Sequence, residues 1–298
     1  HSFPTRRSSD LYYKITHHDF DWRLSDLTKG EYMDGFDDVR LYEYSNSFNT
    51  LKGYSHYTLN IPNRDTRKLT KSGNYMVSIY NDDGELVFSK KFMIIENKVT
   101  VAASVKRARN LENIQTKQVV QFVIDSPNLL LTNPKETVST LILQNSNLNT
   151  PITNLKPQYT IGSQLIYRYD KEASFDAGNE YLFFDNKDIR SGSSSIRKID
   201  LTDIYNTYLY TNSARFERPY TYNPDINGNY QIRILYPTSD ISIEADYARI
   251  HFKLQYFEDL NDKEIHVYGN FNNYTIDETT YMKYDNFSDT YINQMLLK

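Results

Sequence analysis

Acidic side chains cluster at three places where paired carboxylates would be available for acid–base chemistry or for binding a cation. The clusters are Asp19 with Asp21, Asp34 with Asp37 and Asp38, and Asp82 with Asp83. A calcium-binding loop needs oxygen ligands at an ordered spacing that ends in a bidentate carboxylate, and no cluster has that spacing. Asp is instead typical of turns, where its side chain bonds the local backbone. We therefore predict solvated turn residues.

The residue types that act as nucleophiles or metal ligands are absent or wrongly spaced. The chain has no cysteine, which excludes disulfides, thiolate metal sites and thiol catalysis. His17 and His18 are adjacent, so on a strand they face opposite sides and do not share a metal ion. The Ser-Gly pairs at 72–73 and 191–192 lack the Gly-x-Ser-x-Gly context of a nucleophile elbow. We predict a non-enzymatic protein without catalytic residues, cofactor or metal.

The stretch 178–190 combines adjacent aromatic rings with several charges, within the longest irregular part of the chain, 170–195. Aromatic and arginine side chains on a loop are typical of protein interfaces, because they bury a large area and form several hydrogen bonds. The alternative is a strand at 181–184 whose flanking charges satisfy loop backbone groups. In the first interpretation the partner-binding residues are Asn179, Glu180, Phe183, Asp185, Asp188 and Arg190.

A second candidate site is the block Val-Tyr-Gly-Asn-Phe-Asn-Asn-Tyr at 267–274. It resembles the opening strand and turn of glycogen-binding-type carbohydrate modules. Tyr274 stands where that motif usually carries a tryptophan, the side chain that stacks on a sugar ring. We predict a shared sandwich architecture with the sugar site lost. Exposed, coplanar rings around Tyr274 would favour glycan binding, and buried rings would count against it.

The elements that position these residues are predicted to be β-strands. The chain has 27 tyrosines in 298 residues, a composition that suits half-buried pleated surfaces. Apolar and polar residues alternate at 75–80, 230–234 and 250–256, whereas no long segment has the 3.6-residue period of a helix. The run Asn-Asp-Asp-Gly at 81–84 predicts a hairpin between the strand at 75–80 and one at 86–92. The fold class predicted is all-β.

Charge and hydropathy argue against nucleic-acid binding and against a membrane-spanning helix. The formal net charge is −4, and Lys and Arg are scattered rather than clustered, so the chain lacks the basic patch of a nucleic-acid-binding protein. No run approaches the roughly eighteen consecutive apolar residues that a membrane helix requires. We predict neither a nucleic-acid partner nor a transmembrane segment.

Turn clusters divide the strands into tandem immunoglobulin-like β-sandwich domains. We predict an N-terminal sandwich at 12–98, a middle sandwich at 99–244, and the start of a sandwich like those of carbohydrate modules at 245–298. The first and last sandwiches are expected to be truncated, because each has too few strands to close. Residues 1–11 resemble a common short-read sequencing adapter translated in frame. They are expected to be an artefact, disordered and outside every core, with the natural export signal missing.

Blocks along almost the whole of 12–298 resemble, in order and spacing, the plug protein family of the type IX secretion system, once a domain family of unknown function. Examples are Trp-Arg-Leu-Ser-Asp-Leu at 22–27 and Tyr-Thr-Leu-Asn-Ile-Pro-Asn at 57–63. The other blocks lie at 31–36, 47–50, 71–75, 113–122, 154–158, 178–190, 220–228 and 267–274.

The resemblance implies a periplasmic protein, associated with the outer membrane, that docks on the type IX translocon barrel and seals it when no cargo is passing. A barrel wide enough for folded cargo would leak unless it were filled, and a rigid sandwich with a polar surface can fill it. The expected partner is that barrel, bound partly through 179–190. The alternative function is a carbohydrate-binding module of the cell envelope, with weak glycan binding through Tyr274.

Overall fold

The computed structural model describes residues 2–3, 10–178, 181–215 and 225–298, and it has two compact units, 1–98 and 99–298. Nearly all regular structure is strand, and each α-helix is a single four-residue turn, so the all-β prediction is confirmed. In the first unit, the elements are β1 Ser2–Phe3, β2 Tyr12–His18, α1 Lys29–Tyr32, β3 Met33–Gly35, β4 Val39–Arg40, β5 Tyr44–Asn46, β6 Ser55–Tyr57, β7 Thr66–Leu69, β8 Gly73–Tyr80 and β9 Leu86–Ile94.

Antiparallel sheets surround the core of the first unit. The largest has the strand order β4-β2-β8-β9, and two smaller sheets have the orders β1-β6-β5 and β3-β7. Tyr13 and Ile15 from β2, Tyr75 from β8, Tyr57 from β6 and Met33 from β3 are all buried in one apolar cluster. The core is therefore shared between the large sheet and the smaller ones, as expected for a sandwich.

The hairpin predicted from residues 75–92 is confirmed. Strands β8 and β9 pair from Gly73 with Ile94 to Tyr80 with Leu86. The side-chain oxygen of Asn81 accepts hydrogen bonds from the backbone N–H groups of Asp83 and Glu85. These bonds close the turn from within, which is why a short Asn-Asp-Asp-Gly run specifies it.

The prediction that residues 1–11 lie outside every core and pair with nothing is wrong in two places. The Leu11 side chain is 4% exposed and belongs to the apolar core. The backbone of β1, Ser2–Phe3, pairs antiparallel with His56 and Ser55 at the edge of β6. An apolar residue beside the central strand β2 is buried by its position, whatever precedes it in the chain. The adapter origin of the segment stays a prediction.

One acidic residue of the 34–38 cluster is not a solvated turn residue. The Asp37 side chain is 1% exposed, and its Oδ2 atom accepts a hydrogen bond of 2.6 Å from the backbone N–H of Ile15. Its Oδ1 atom pairs with the Lys29 ammonium. Asp34, in contrast, forms an exposed pair with Arg67. Asp37 therefore fastens β2 to the turn that follows β3.

The second unit contains thirteen strands among its described residues. They are β10 Thr100–Arg107, β11 Lys117–Asp125, β12 Leu141–Ile142, β13 Ile152–Thr153, β14 Tyr159–Ile161, β15 Gln164–Tyr167, β16 Ser174–Asp176, β17 Ile196–Leu201, β18 Tyr205–Leu209, β19 Asn212–Ser213, β20 Ala248–Gln255, β21 Lys283–Asp285 and β22 Thr290–Leu297. Single helical turns are α2 Pro134–Thr137, α3 Ile241–Glu244 and a 3₁₀ turn, Asn270–Asn272.

Two larger sheets form the second unit, together with the small pair β12-β13. One has the order β10-β11-β15-β14 with β16 also on β11, and the other has the order β17-β18-β20-β22-β21 with β19 also on β20. Strands β18 and β20 run parallel and pair from Tyr205 with Ala248. The predicted boundary at 98 coincides with the division between the units. The predicted boundary at 244 falls inside one sheet, so residues 245–298 are not separate from the strands before them.

The segment that leads into β20 is held by one carboxylate. Glu244 accepts hydrogen bonds from the backbone N–H and the hydroxyl groups of both Thr238 and Ser239. The bond from the Ser239 side chain is the largest of the effects that lower the Glu244 pKa, from an ordinary value of 4.5 to about 2. The charged form is therefore the one that the folded chain favours.

We expect Glu244 to make the protein less stable in acid. A carboxylate whose folded pKa is lowered contributes stability above its ordinary pKa, and this contribution is lost as pH falls from 4.5 towards 2. The melting temperature of the Glu244→Gln variant should therefore fall less steeply over that interval than the melting temperature of the wild type. Glu258→Gln is the control, because Glu258 is exposed and has no ion pair among the described residues. Equal pH slopes for wild type and Glu244→Gln would contradict the assignment.

Candidate interaction surface

The stretch predicted to bind a partner is a loop between β16 and β17. No strand forms at 181–184, so the alternative interpretation of this stretch as a strand is wrong. Asn179 and Glu180, which were also predicted to bind, lie outside the described residues. The structure does place Phe183, Asp185, Asp188 and Arg190, all within the irregular run 181–195.

Alternate apolar side chains of this loop have opposite roles. The Phe184 ring packs edge-on against Phe252 of β20 with 5.9 Å between ring centroids, and Ile189 packs against the same core cluster. Phe183 is 80% exposed, and Leu182 also faces solvent. Because Phe184 and Ile189 fix the backbone that follows Phe183, the loop presents the Phe183 ring without needing regular secondary structure.

Asp185 holds the middle of the loop through several bonds. Its carboxylate accepts from the Lys187 backbone N–H and pairs with the Lys187 ammonium at 3.3 Å and the Arg233 guanidinium at 2.9 Å. Partial burial by itself raises the pKa of Asp185, but the Lys187 hydrogen bonds and the two positive charges outweigh it and hold this pKa below its ordinary value. Asp185 is therefore ionised and structural, rather than a free contact residue.

The Asp188 carboxylate is used within the loop, whereas the Arg190 guanidinium is exposed. The Asp188 Oδ1 atom accepts from the backbone N–H groups of Arg190 and Ser191, and the Arg190 bond is the main cause of a lowered Asp188 pKa. The Arg190 side chain is exposed and has no ion pair with the residues described. Among the predicted residues that the structure describes, Arg190 and Phe183 are thus the ones whose functional groups are free to meet a partner.

A second irregular segment, 230–236, lies against this loop. Its alternating Tyr230, Ile232 and Ile234 predict a strand, but none forms. Arg233 pairs with Asp185, and the Leu235 backbone N–H donates to the Lys187 carbonyl at 3.1 Å. The segment exposes further apolar side chains, namely Tyr230, Ile232, Leu235 and Tyr236. We call residues 181–190 and 230–236 together the loop pair. The sequence does not indicate its second half, because the alternation there predicts a strand with one apolar and one polar face.

The start of the loop is fixed by Tyr181. Its backbone N–H donates to Asp225 Oδ2 at 2.6 Å, and its ring covers Gly228, where an added Cβ would lie 2.7 Å from the ring. Gly228 also has a φ of +74°, which disfavours other residues. Burial of the Tyr181 ring raises the pKa of its hydroxyl. The first described residue of the loop is therefore anchored.

Tyr274 is buried, which counts against the glycan site. Its side chain is 4% exposed, and its hydroxyl donates to the carbonyls of Asn145 at 3.1 Å and Asn227 at 3.2 Å. Burial raises its pKa, with a smaller contribution from Tyr181. The ring packs against Tyr268 at 5.1 Å and offers no exposed face for a sugar. Tyr181, the Asn227–Gly228 turn and Tyr274, one position from each of three sequence blocks, thus lie close together.

Residues 5–96 match the sequence profile of the family described as type 9 secretion system plug protein 1st domain. Residues 5–96 therefore belong to the first-domain family of the type 9 secretion system plug proteins. The predicted resemblance is therefore confirmed. The match lies within the first unit, and it begins inside the segment predicted to derive from an adapter.

A hypothetical protein from Parabacteroides merdae, known from a crystal structure, is similar to nearly the whole chain. The two share 30% sequence identity with a TM-score of 0.93, over 99% of this chain and 74% of that chain. No curated protein matches the sequence. The match to the plug family indicates a role related to type IX secretion. It is not a known enzyme family. Over the described ranges, no helix has the length and apolar character needed to cross a membrane.

Proposed function

We propose that this protein is a non-enzymatic, periplasmic plug that docks on the outer-membrane barrel of the type IX translocon and seals it when no cargo is passing. The observation that carries the proposal is the match of residues 5–96 to the first domain of the plug family. The all-β architecture with little helix supports it, because compact sandwiches suit a role that needs a stiff body.

The loop pair supports docking through the second unit. It combines exposed Phe183 and Tyr236 with the Arg190 guanidinium, which has no ion pair with any described residue; aromatic and arginine side chains are enriched in protein interfaces. Its backbone is already fixed by Asp185, Phe184 and the Leu235 hydrogen bond. A surface that is ordered before binding loses less conformational entropy on association. The loop pair is therefore suited to a specific contact.

Affinity purification tests the proposal directly. The full-length protein, tagged and expressed from its own locus, should recover the large translocon barrel from detergent-extracted envelope. A tagged periplasmic protein of similar size is the control for nonspecific recovery. Failure to recover the barrel, in cells where both proteins are present and intact, would overturn docking as the function.

Within that complex, we expect the Phe183→Ala, Arg190→Ala double variant to weaken capture of the barrel. The loss should be about 1–4 kcal/mol if these side chains are central to the interface. The predicted contact Glu180 lies outside the described residues, so it is left unchanged. Phe287→Ala is the matched control, because Phe287 is fully exposed in the same unit but lies outside the loop pair. Unchanged capture by the double variant, at an unaltered melting temperature, would place the docking surface elsewhere.

A further inference from the structure

The first unit contains a partly open cavity of about 400 Å³. Its lining includes Val77, Phe88 and Phe92 of the hairpin β8–β9, together with Leu59 and Ile61 from the segment after β6. Every lining residue is apolar or aromatic except Lys90. Protein interiors rarely leave voids much larger than one water molecule, whose share of liquid volume is about 30 Å³. A cavity of this size and composition therefore needs a physical reason.

Lys90 breaks the apolar pattern of its own strand. Residues 88, 90, 92 and 94 of β9 share one face, because side chains alternate along a strand, and all four line the cavity. The other three are Phe88, Phe92 and Ile94, which pack against the core. Lys90 is exposed and has no ion pair with any residue that the structure describes. Its aliphatic stem lies along apolar surface while its ammonium is free for an anion.

We propose that this cavity binds a fatty carboxylate, with the hydrocarbon chain inside the cavity and the carboxylate paired with Lys90. The volume lies in the range of roughly 300–1,000 Å³ that is usual for small-molecule sites, which are mostly apolar with a few polar groups that fix orientation. A single cation at an otherwise apolar cavity selects an amphiphile with one anionic head. This site goes beyond docking on the translocon, since it lies in the first unit and involves no residue of the loop pair.

The competing explanation for Lys90 is that it protects the sheet edge formed by β9. Strand β9 is the last strand of its sheet, and a charge on the inward face of an edge strand discourages pairing with a second chain. That role predicts self-association when the charge is removed and no effect on ligand binding. The two roles are therefore separable by experiment.

Isothermal titration calorimetry on the delipidated protein tests the proposal. The probes are laurate, dodecanol and dodecylammonium, which share a chain length and differ in head charge. We expect laurate to bind at one site per chain, dodecanol to bind more weakly, and dodecylammonium not to bind. Lys90→Met should weaken laurate binding about two- to fivefold, the effect of one exposed ion pair, and leave dodecanol binding unchanged.

Lys91→Met is the matched control, because Lys91 is the next residue of the strand and faces the Trp22 ring on the other side of the sheet. Leu59→Trp, which fills the cavity, should abolish binding of both laurate and dodecanol. If Lys90→Met misfolds, Lys90→Gln is used in its place. Absence of laurate binding by the folded protein would overturn the site. Equal losses of laurate affinity for Lys90→Met and Lys91→Met would also overturn it. Self-association of Lys90→Met with laurate binding intact would overturn the carboxylate pairing and assign Lys90 to edge protection.

Discussion

Replacing Gly35 with alanine is expected to lower the free energy of unfolding of the first unit by at least about 3 kcal/mol. Gly35 has a φ of +111°, and a Cβ there would lie 2.0 Å from the backbone oxygen of Asp65. That oxygen cannot easily move, because it accepts the Phe36 backbone N–H at 2.8 Å. Backbone strain and a clash with fixed backbone therefore add at the same residue.

Two other glycines of the first unit separate these contributions. Gly84 has a φ of +76° with nothing within 4 Å of an added Cβ, so Gly84→Ala should cost only the backbone strain, about 1–2 kcal/mol. Gly53 has neither constraint, and Gly53→Ala should be neutral or slightly stabilising. The sole tryptophan, Trp22, lies in the first unit, so its fluorescence during urea denaturation follows that unit alone. A Gly35→Ala loss no larger than that of Gly84→Ala would contradict the clash.

Asp37→Ala is expected to destabilise the first unit by about 2–4 kcal/mol, because it leaves the buried N–H of Ile15 without an acceptor and the Lys29 ammonium without its partner. Asp34→Ala is the control. Asp34 forms an exposed ion pair with Arg67, and such pairs contribute less than about 1 kcal/mol. Both losses are measured by Trp22 fluorescence in urea.

Asp37→Asn divides the effect of Asp37 into two parts. The amide oxygen of Asn is still able to accept from Ile15, whereas the negative charge that faces Lys29 is gone. We expect an intermediate loss, about half that of Asp37→Ala, because a hydrogen bond to a charged group is roughly twice as strong as a neutral one. Equal losses for Asp34→Ala and Asp37→Ala would show that Asp37 is solvated, as its sequence context predicts.

Local patterns in the sequence were sufficient for the all-β class and for several elements. The hairpin at 75–92 followed from alternation around a turn whose bonds are made by Asn81 itself. Strand β20 followed from the alternation at 250–256, and Ile250 is fully buried. Such features are predictable because the pleat and the turn depend on residues close together in the chain. The family resemblance likewise rests on short blocks in order.

Alternation failed where a strand needs a partner that the local sequence does not specify. Residues 230–234 alternate as cleanly as β20, yet they form no strand and instead hold the loop pair together through Arg233 and Leu235. The parallel pairing of β18 with β20 joins segments about forty residues apart, across a position predicted to divide two domains. Which strands become neighbours depends on non-local packing, because the hydrogen bonds of a sheet are made between strands.

The environment of single side chains was likewise decided by the tertiary structure. Asp37 has the sequence context of a turn residue, and Tyr274 stands where a carbohydrate module usually carries its tryptophan. Neighbours from distant parts of the chain bury both side chains. Lys90 looks like an ordinary strand lysine in sequence, but in the structure it lines an apolar cavity. The sequence by itself determined strands, turns and family. Burial and free charge were set only by tertiary packing, because solvent access at one residue depends on chain segments far away from it in sequence.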